Sequence, residues 1–297
     1  MNKEDLKAYV LNNPSLVSMK PAGEGMYVLK YKKKVFFDNL WNEYLEECRG
    51  TIVDEDFNII SYPFTKIYNY GVEDKAPVLD PSTPVTAYRK VNGFMAAVTW
   101  CYKTNDILIS TTGSTDSDYV VYIREMIGDN IDMYRSVMIK NSWYTYLFEC
   151  CHPSDPHIVP EETGMYLLGI RRKEYGSKVE VGDYLNDQAS FLNCKVPEMC
   201  KVTMEVLMDL SSKVHHEGFV FYTDDGQSAK IKSPYYLVNK FVARCNNTDK
   251  LMRKDIKKNI DEEYYPLIDK IQENIGEFTA MDEQSRLDWC RKVLTKD

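Results

Sequence analysis

Five short segments follow one another in a set order along this chain, and together they constrain its fold more than any other feature. They are Lys90-Val91-Asn92-Gly93, Phe148-Glu149, Tyr166-Leu167-Leu168-Gly169-Ile170-Arg171, Glu217-Gly218-Phe219-Val220 and Lys230-Ile231-Lys232. Any one of these segments alone would be a weak signal. Their order predicts a sheet-rich fold whose strands present a lysine, two separated carboxylates and a closing lysine pair.

The composition is that of a folded globular protein. The chain has 297 residues, of which 44% are hydrophobic and 28% charged, and no apolar run reaches membrane-spanning length. The polar N-terminus predicts no secretory signal, and the scattered cysteines indicate reduced thiols. We therefore expect a cytoplasmic protein (host cytoplasm if the chain is viral) with no membrane partner.

The net charge of −8 hides local basic clusters. Such clusters can follow a phosphate backbone while the rest of the surface is acidic, although solvated surface lysines explain each cluster equally well. The clusters are Lys30 with Lys32, Lys33 and Lys34; Arg171 with Arg172 and Lys173; and Lys250 with Arg253, Lys254, Lys257 and Lys258.

Periodicity and turn residues predict an α+β fold. We expect helices at 3–11, 118–127, 183–191 and 202–211, and strands at 27–30, 34–37, 50–54, 58–62, 143–149, 165–171, 218–222 and 228–232, with a strand–turn–strand unit over 85–108. From residue 235 onward the pattern is helical, with a break at 246–249. The predicted organisation is a domain of mainly antiparallel sheets with flanking helices over 1–245 and a small all-helical C-terminal domain over 246–297.

The tetrad Lys-x-x-Gly occurs three times, at Lys20, Lys90 and Lys173. Lys90 lies between two β-rich runs, where a strand end can fix the side chain and Gly93 lets the backbone approach a phosphate closely. Lys20 and Lys173 lack the downstream segments, so they are better interpreted as surface lysines.

On these residues the chain resembles the covalent nucleotidyltransferase superfamily of ATP-dependent ligases and mRNA capping enzymes, whose catalytic domain is ATP-grasp-like. Over residues 47–236 it more closely resembles RNA ligases of the first bacteriophage T4 type, which repair broken tRNA. The shared motifs are the lysine motif at Lys90, Phe-Glu at Glu149, Glu-Gly at Glu217 and Lys-x-Lys at Lys230 and Lys232. The T4-type features are Glu47-Cys48-Arg49-Gly50, Phe64-Thr65-Lys66-Ile67-Tyr68-Asn69 and His157-Ile158-Val159.

The resemblance implies an ATP-dependent RNA ligase that joins RNA 5′-phosphate and 3′-hydroxyl ends, tRNA among them, after an end-healing kinase/phosphatase has prepared the ends. Lys90 would carry AMP covalently, and Lys230 and Lys232 would complete the catalytic set. Arg49 and Lys66 would grip the β- and γ-phosphates of ATP. Glu149 and Glu217 would hold Mg²⁺ (or Mn²⁺), with one of them also serving the ribose, and Asn92 and Gly93 would complete the nucleotide-binding set.

Elementary chemistry agrees with these roles. A lysine that attacks ATP must be neutral, yet the pKa of a free lysine is about 10.4. Lys230, Lys232 and a metal ion would disfavour the ammonium form of Lys90 and offset phosphate charge during transfer. Carboxylates such as Glu149 and Glu217 suit hydrated Mg²⁺.

The sequence departs from the family pattern at three positions. Asn92 stands where many members have Asp, Cys150 where an aromatic residue is common, and Thr112 where the T4-type enzyme has a basic residue. Lys230 and Lys232, and likewise Lys32 and Lys34, could instead guard an exposed strand edge.

Two other functions stay open. DNA ligases and capping enzymes carry a β-barrel after the Lys-x-Lys motif, whereas residues 233–297 have a helical pattern here. A non-catalytic RNA-binding protein on a ligase scaffold would have no reason to keep Lys90, Glu149, Glu217, Lys230 and Lys232 together.

Overall fold

The computed structural model describes residues 1–157, 159–244, 256–258, 260 and 262–295. By their internal contacts the described residues divide into two compact units. The first consists of Met1–Lys66, Gly93–His157 and Glu161–Pro197, and the second takes in Ile67–Asn92, Ile158–Pro160 and Glu198–Asp297.

The strands are, in chain order, β1 (Val17–Pro21), β2 (Met26–Tyr31), β3 (Arg49–Asp54), β4 (Ile59–Ser61), β5 (Tyr68–Asn69), β6 (Pro84–Arg89), β7 (Phe94–Cys101), β8 (Asp106–Ser110), β9 (Tyr144–Cys151), β10 (Gly164–Arg172), β11 (Val179–Glu180), β12 (Met199–Thr203), β13 (Gly218–Tyr222) and β14 (Ser228–Lys232). The α-helices are α1 (Lys3–Asn12), α2 (Lys33–Phe37), α3 (Glu43–Glu47), α4 (Asp118–Ile127), α5 (Ile131–Lys140), α6 (Leu185–Phe191), α7 (Met204–Lys213), α8 (Pro234–Arg244), α9 (Tyr265–Glu273), α10 (Ile275–Ala280) and α11 (Glu283–Thr295). The predicted α+β class with mainly antiparallel sheets is confirmed.

The first unit contains two antiparallel sheets, with strand orders β1-β2-β3-β4 and β11-β10-β9-β7-β8. Helix α4 shows why helices cover the second sheet: Val120, Ile123 and Ile127 lie at helical spacing and are all buried. They join a core with apolar residues of β7, β8, β9 and β10 and of the helices α5 and α6.

The prediction of a strand at 34–37 is wrong, because Lys33–Phe37 forms the helix α2. The segment is short and its apolar residues Val35, Phe36 and Phe37 are consecutive, so they define no period that separates strand from helix. The amide of Val35 donates to the carbonyl of Lys32, and the amide of Asp38 to that of Lys34, which closes the helical turn. Lys32 and Lys34 therefore do not guard a strand edge.

Arg171 is buried at 1% exposure, so it does not belong to a surface basic cluster with Arg172 and Lys173. Its Nη1 and Nη2 each lie 3.1 Å from a carboxylate oxygen of Glu47, and its other N–H groups donate to the carbonyls of Pro63 and Ser177. The guanidinium also stacks on Tyr62, with Cζ 3.4 Å from the ring centroid. All five guanidinium donors thus hold segments of the first unit together.

We expect the Arg171→Met variant to lose about 3–5 kcal/mol of unfolding free energy, because it leaves the Glu47 carboxylate buried without its cation. Chemical denaturation of the full chain measures this change. The neighbouring variant Arg172→Met is the control, since Arg172 is exposed and pairs with Glu174 at the surface. Similar denaturation midpoints for the two variants would contradict a structural role for Arg171.

The second unit is built on the sheet β12-β6-β13-β14-β5, in which only the pairing of β14 with β5 is parallel. Along β14, Ala229 and Ile231 point into a core with β6, β13 and α7, whereas Lys230 and Lys232 lie on the opposite face. Lys230 has a partner strand on each side, and the Lys232 side chain is only 11% exposed, so neither lysine guards an exposed edge.

The C-terminal helices share a core with the helix that follows the Lys-x-Lys motif. Leu237 and Val238 of α8 pack with Leu267, Ile268 and Ile271 of α9. The expected break at 246–249, the proposed domain boundary at 245/246 and residues 250–255 of the basic cluster lie outside the described residues. Within the described part of the chain, no helix is long and apolar enough to cross a membrane.

Candidate active site

Lys90 is held at the end of β6 by the neighbouring strand. Arg89 pairs with Phe219 of β13, and the amide of Lys90 donates to the carbonyl of Gly218 at 2.8 Å. The Lys90 side chain is 22% exposed, so it is only partly buried. The strand pairing places this side chain beside the Glu217-Gly218 segment.

Glu217 is the centre of the charged cluster in the second unit. Its carboxylate lies 3.0 Å from Nζ of Lys90 and 3.8 Å from Nζ of Lys232, and it accepts a 2.8 Å hydrogen bond from Nδ2 of Asn92. Burial opposes its ionisation, but the two lysines and these hydrogen bonds hold the pKa of the Glu217 carboxyl below its usual value. The structure therefore brings three of the predicted site residues, Lys90, Lys232 and Asn92, to the carboxylate of a fourth, Glu217.

Asn92 connects this cluster to a second chain segment. While its Nδ2 donates to Glu217, its Oδ1 accepts a 3.2 Å hydrogen bond from the amide of Val159, and the side chain is buried. An aspartate could accept from Val159 but could not donate to Glu217. The amide at this position thus fits a buried neighbouring carboxylate.

Gly218 has a steric reason to be glycine. Its φ is +128°, and a Cβ at this position would lie 2.0 Å from the carbonyl oxygen of Ile231 on β14. A side chain there would push β14, and with it Lys232, away from β13. The glycine of the Glu-Gly motif therefore keeps the strand that carries the lysine pair close to Glu217.

Two predicted residues meet in the first unit. The amide of Gly93 donates to Oε1 of Glu149 at 3.1 Å. A Cβ on residue 93 would lie 2.3 Å from the carbonyl oxygen of Cys150, the strand neighbour of Phe94. Gly93 is therefore required for the close approach of β7 and β9, a reason that the sequence did not reveal.

Arg49 and Lys66, the predicted phosphate contacts, also lie in the first unit. Arg49 begins β3 and donates from Nη1 to the carbonyl of Thr65 at 3.1 Å. Lys66 is mostly buried, with Nζ 4.6 Å from the ring centroid of Trp41. These contacts give both side chains a defined position.

Lys30 is a cation that the sequence interpretation left among the surface lysines. It is the strand partner of Arg49, and its Nζ reaches Gly113, where a Cβ would lie only 2.6 Å from it. Thr112, the position where the resemblance would place a basic residue, is the neighbour of Gly113. A contact between a strand residue and a loop so far along the chain has no local sequence signal.

The sequence interpretation also missed a cation–π chain behind Lys232. Nζ of Lys232 lies 5.3 Å from the ring centroid of Tyr236, and Nζ of the buried Lys240 lies 5.7 Å from the same ring and 5.6 Å from that of Tyr264. Such contacts are favourable, more so where water is excluded. The spacing of Tyr236 and Lys240 by four residues was the available signal, because α8 places such residues on one face, whereas Lys232 ends the preceding strand β14.

Chemically, the second unit offers the primary amine of a partly exposed side chain, a second ammonium and a buried carboxylate within ion-pair distance. An amine of this kind can act as a nucleophile, and the neighbouring cation can offset charge on a phosphate.

Comparison with known proteins identifies a sequence relative and several structural neighbours. An RNA ligase of Rhodothermus phage RM378 is 26% identical over 216 residues, which cover 58% of this chain and 48% of the phage protein. The chain thus spans about half the length of this relative. No protein-family model matches the chain.

Among solved structures, an Aquifex aeolicus protein classed as an ATP-dependent DNA ligase has a TM-score of 0.62 at 13% identity, covering 98% of this chain and 77% of that one. An archaeal ATP-dependent RNA ligase has a TM-score of 0.59 at 12% identity, covering 99% and 75%. At such low identity this likeness establishes the fold. The chain therefore shares the α+β fold of ATP-dependent polynucleotide ligases.

Proposed function

We propose that this protein is an ATP-dependent RNA ligase that uses Lys90 as its nucleophile. The observation that carries the proposal is the convergence of Lys90, Lys232 and Asn92 on the buried carboxylate of Glu217. The similarity to a phage RNA ligase and the ligase fold support the same function.

Three transfers account for the reaction. Nζ of Lys90 bonds to the α-phosphorus of ATP as the bond to the β-phosphate oxygen breaks, which releases pyrophosphate, and the amine proton goes to solvent. An oxygen of the RNA 5′-phosphate then displaces Lys90 and takes the AMP. Finally the RNA 3′-hydroxyl attacks that 5′-phosphate, loses its proton, and releases AMP as the phosphodiester bond forms.

The ion pair between Lys90 and Glu217 sets a condition on the first step. A carboxylate at 3.0 Å favours the ammonium form of an amine, whereas nucleophilic attack requires the neutral form. We infer that nucleotide binding draws Glu217 away from Lys90. Lys232, which already faces Glu217, would keep that carboxylate charged after Lys90 has turned to the phosphate.

The carboxylates of Glu149 and Glu217 are the proposed ligands of Mg²⁺ or Mn²⁺. Carboxylate oxygens suit hard divalent cations, and the low pKa of Glu217 keeps its carboxylate ionised at neutral pH. A bound metal would supply charge neutralisation at the phosphates. Independently of the metal, Gly93 orients Glu149, and Asn92 orients Glu217.

Arg49 and Lys66 are the proposed contacts to the leaving pyrophosphate, with Lys30 as a further cation beside Gly113.

We expect Arg49→Ala to slow self-adenylation by about 10²-fold or more, because one charge-assisted phosphate contact is lost. Sealing of a pre-adenylated RNA should change much less, since that step involves no pyrophosphate. The matched control is Arg172→Ala, and equal losses in both assays would contradict the assignment.

We further propose that the protein is an RNA ligase of the first T4 type. It would join broken RNA ends, tRNA included, after an end-healing kinase/phosphatase has prepared them. The motifs around Arg49 and Lys66 support it. The described residues after Lys232 form helices rather than the barrel of DNA ligases and capping enzymes.

Labelling with [α-³²P]ATP and Mg²⁺, followed by a denaturing gel, tests the transfer of AMP to the protein. A panel of nicked, single-stranded and tRNA-like RNA and DNA substrates tests the later transfer of AMP to the nucleic acid and the sealing of its ends. An acid-labile adduct and RNA sealing are expected. An adduct with sealing of DNA only would favour another polynucleotide ligase. RNA binding without any adduct would favour a non-catalytic protein on a ligase scaffold.

A further inference from the structure

A cavity of about 1050 Å³ opens in the first unit at one end of the sheet that contains β7, β9 and β10. Its wall includes Trp100 of β7, Trp143 just before β9 and Lys173 just after β10. Gly93 and Glu149 lie toward the other ends of β7 and β9. At roughly 3.3 Å per strand residue, the cavity is about 20 Å from them.

Lys173 is a cation without a carboxylate in the part of the chain that the structure describes. Its Nζ donates to the carbonyl of Trp100 at 2.9 Å, and its backbone amide donates to the carbonyl of Trp143. Burial lowers the pKa of the Lys173 amine to about 8. A partly buried amine on a cavity wall, held by a carbonyl alone, is suited to receive an anion.

The acidic residues around the cavity already have partners. Asp54 accepts hydrogen bonds from the Tyr102 hydroxyl and from Asn58, and Glu174 pairs with Arg172 at 3.2 Å. The other cationic groups that line the cavity also pair with carboxylates: the Met1 amine with Glu43, Lys3 with Glu4 and Lys103 with Glu55. Among the described lining residues, Lys173 is therefore the cation available to an incoming anion.

Exposed aromatic rings provide the second half of the site. Trp143 is 72% exposed and Tyr102 is 54% exposed, although both are large rings that usually bury much of their surface. Both line the cavity together with Trp100. Nucleic-acid bases stack favourably on such side chains, and this stacking tolerates any base because every base has a π-face.

We propose that this cavity is a second nucleotide-binding site, lined by other residues than those proposed for ATP, in which Lys173 receives a phosphate while Trp143 and Tyr102 stack on the base. The nucleotide is either part of an RNA strand or free in solution, because both present the same base and phosphate. The site goes beyond the proposed ligase function, which assigns it no role. A volume of this size holds one nucleotide with room for its neighbours.

The test measures acetylation of individual lysines at pH 8 by mass spectrometry, in the full chain, with AMP, with a short single-stranded oligoribonucleotide, or with neither. At roughly ten times the Kd of a ligand, about tenfold protection of Lys173 is expected. The Trp143→Ala variant should weaken that ligand about tenfold or more. Because Trp143 is mostly exposed, the substitution should leave the fold intact, which circular dichroism checks.

The control for Trp143→Ala is Lys20→Gln, a substitution of an exposed lysine on β1 that does not line the cavity. Protection by the oligonucleotide alone identifies RNA as the occupant, and equal protection by AMP identifies a free nucleotide. No protection of Lys173 by either, or protection that Trp143→Ala leaves unchanged, overturns the proposal. Self-adenylation at Lys90, measured on the same variants, reports on the ligase function separately, so either proposal can fail alone.

Discussion

The Lys90→Ala variant is expected to lose the radiolabelled protein–AMP adduct down to the background of a reaction without enzyme. Nζ of Lys90 is the atom that would bond to the α-phosphorus, and alanine offers no replacement nucleophile. The measurement is incubation with labelled ATP and Mg²⁺ followed by a denaturing gel. Because AMP transfer to RNA depends on this adduct, sealing of RNA with an unmodified 5′-phosphate should also be lost.

Two further variants make this experiment specific. Lys90→Arg keeps the positive charge beside Glu217 but supplies a guanidinium that stays protonated, so it should also fail to form the adduct. Lys20→Ala removes the lysine of another Lys-x-x-Gly tetrad and should label as the unmodified protein does. An adduct that persists in Lys90→Ala and Lys90→Arg would place the nucleophile elsewhere, whereas loss in all three variants would indicate a general defect.

Sealing of a pre-adenylated RNA separates the nucleophile from the rest of the site. This substrate already carries the AMP, so Lys90→Ala should retain part of its sealing activity. Retention would show that the substituted protein is folded and that the loss lies in the first transfer. Loss of both activities, together with an unchanged denaturation midpoint, would mean that Lys90 also serves the final step.

Regular elements could be predicted where one local period dominates. The helical spacing of α4, the continuous apolar run of β13 and the alternation along β14 predict the observed bounds to the residue, at Asp118–Ile127, Gly218–Tyr222 and Ser228–Lys232. The helix expected at 202–211 begins later, because Val202 belongs to β12, and only Met204–Lys213 is helical. Short segments such as Lys33–Phe37 carry too few residues to define a period.

The candidate site was predicted as a set of residue types rather than as a geometry. Sequence order indicated Lys90, Glu217 and Lys232, but strand register determines that their side chains meet, and register depends on long-range pairing. The burial of Arg171 against Glu47 depends on contacts between segments more than a hundred positions apart. The cavity beside Lys173 likewise forms only when strand ends from three parts of the chain come together.

Glu217→Gln is the substitution for which we expect effects on both activity and stability. Gln keeps an oxygen that can accept from Asn92, but it removes the negative charge that lies beside Lys90 and Lys232. The variant therefore loses the charged group to which the ammonium groups of Lys90 and Lys232 both pair. We expect self-adenylation to fall by about 10²–10³-fold, the cost of losing one preorganised electrostatic group in an active site.

The stability effect of Glu217→Gln should depend on pH in a defined direction. The folded protein holds the pKa of the Glu217 carboxyl below its value in the unfolded chain, which is about 4.3. The stabilisation from this charge is therefore fully present above that value, and it is lost as the pH falls through the lower, folded pKa. At pH 7 the variant should be less stable than the unmodified protein by about 3 kcal/mol, because a buried pair loses one partner. The difference should shrink as the pH drops below about 4.

Denaturation midpoints of Glu217→Gln and of the unmodified protein, taken from pH 7 downward, measure this difference in stability. The control is Glu205→Gln, which changes an exposed residue of α7. A difference in unfolding free energy that stayed constant across that pH range would show that the Glu217 charge does not stabilise the cluster. It would also contradict the inferred role of Lys232 in keeping Glu217 ionised.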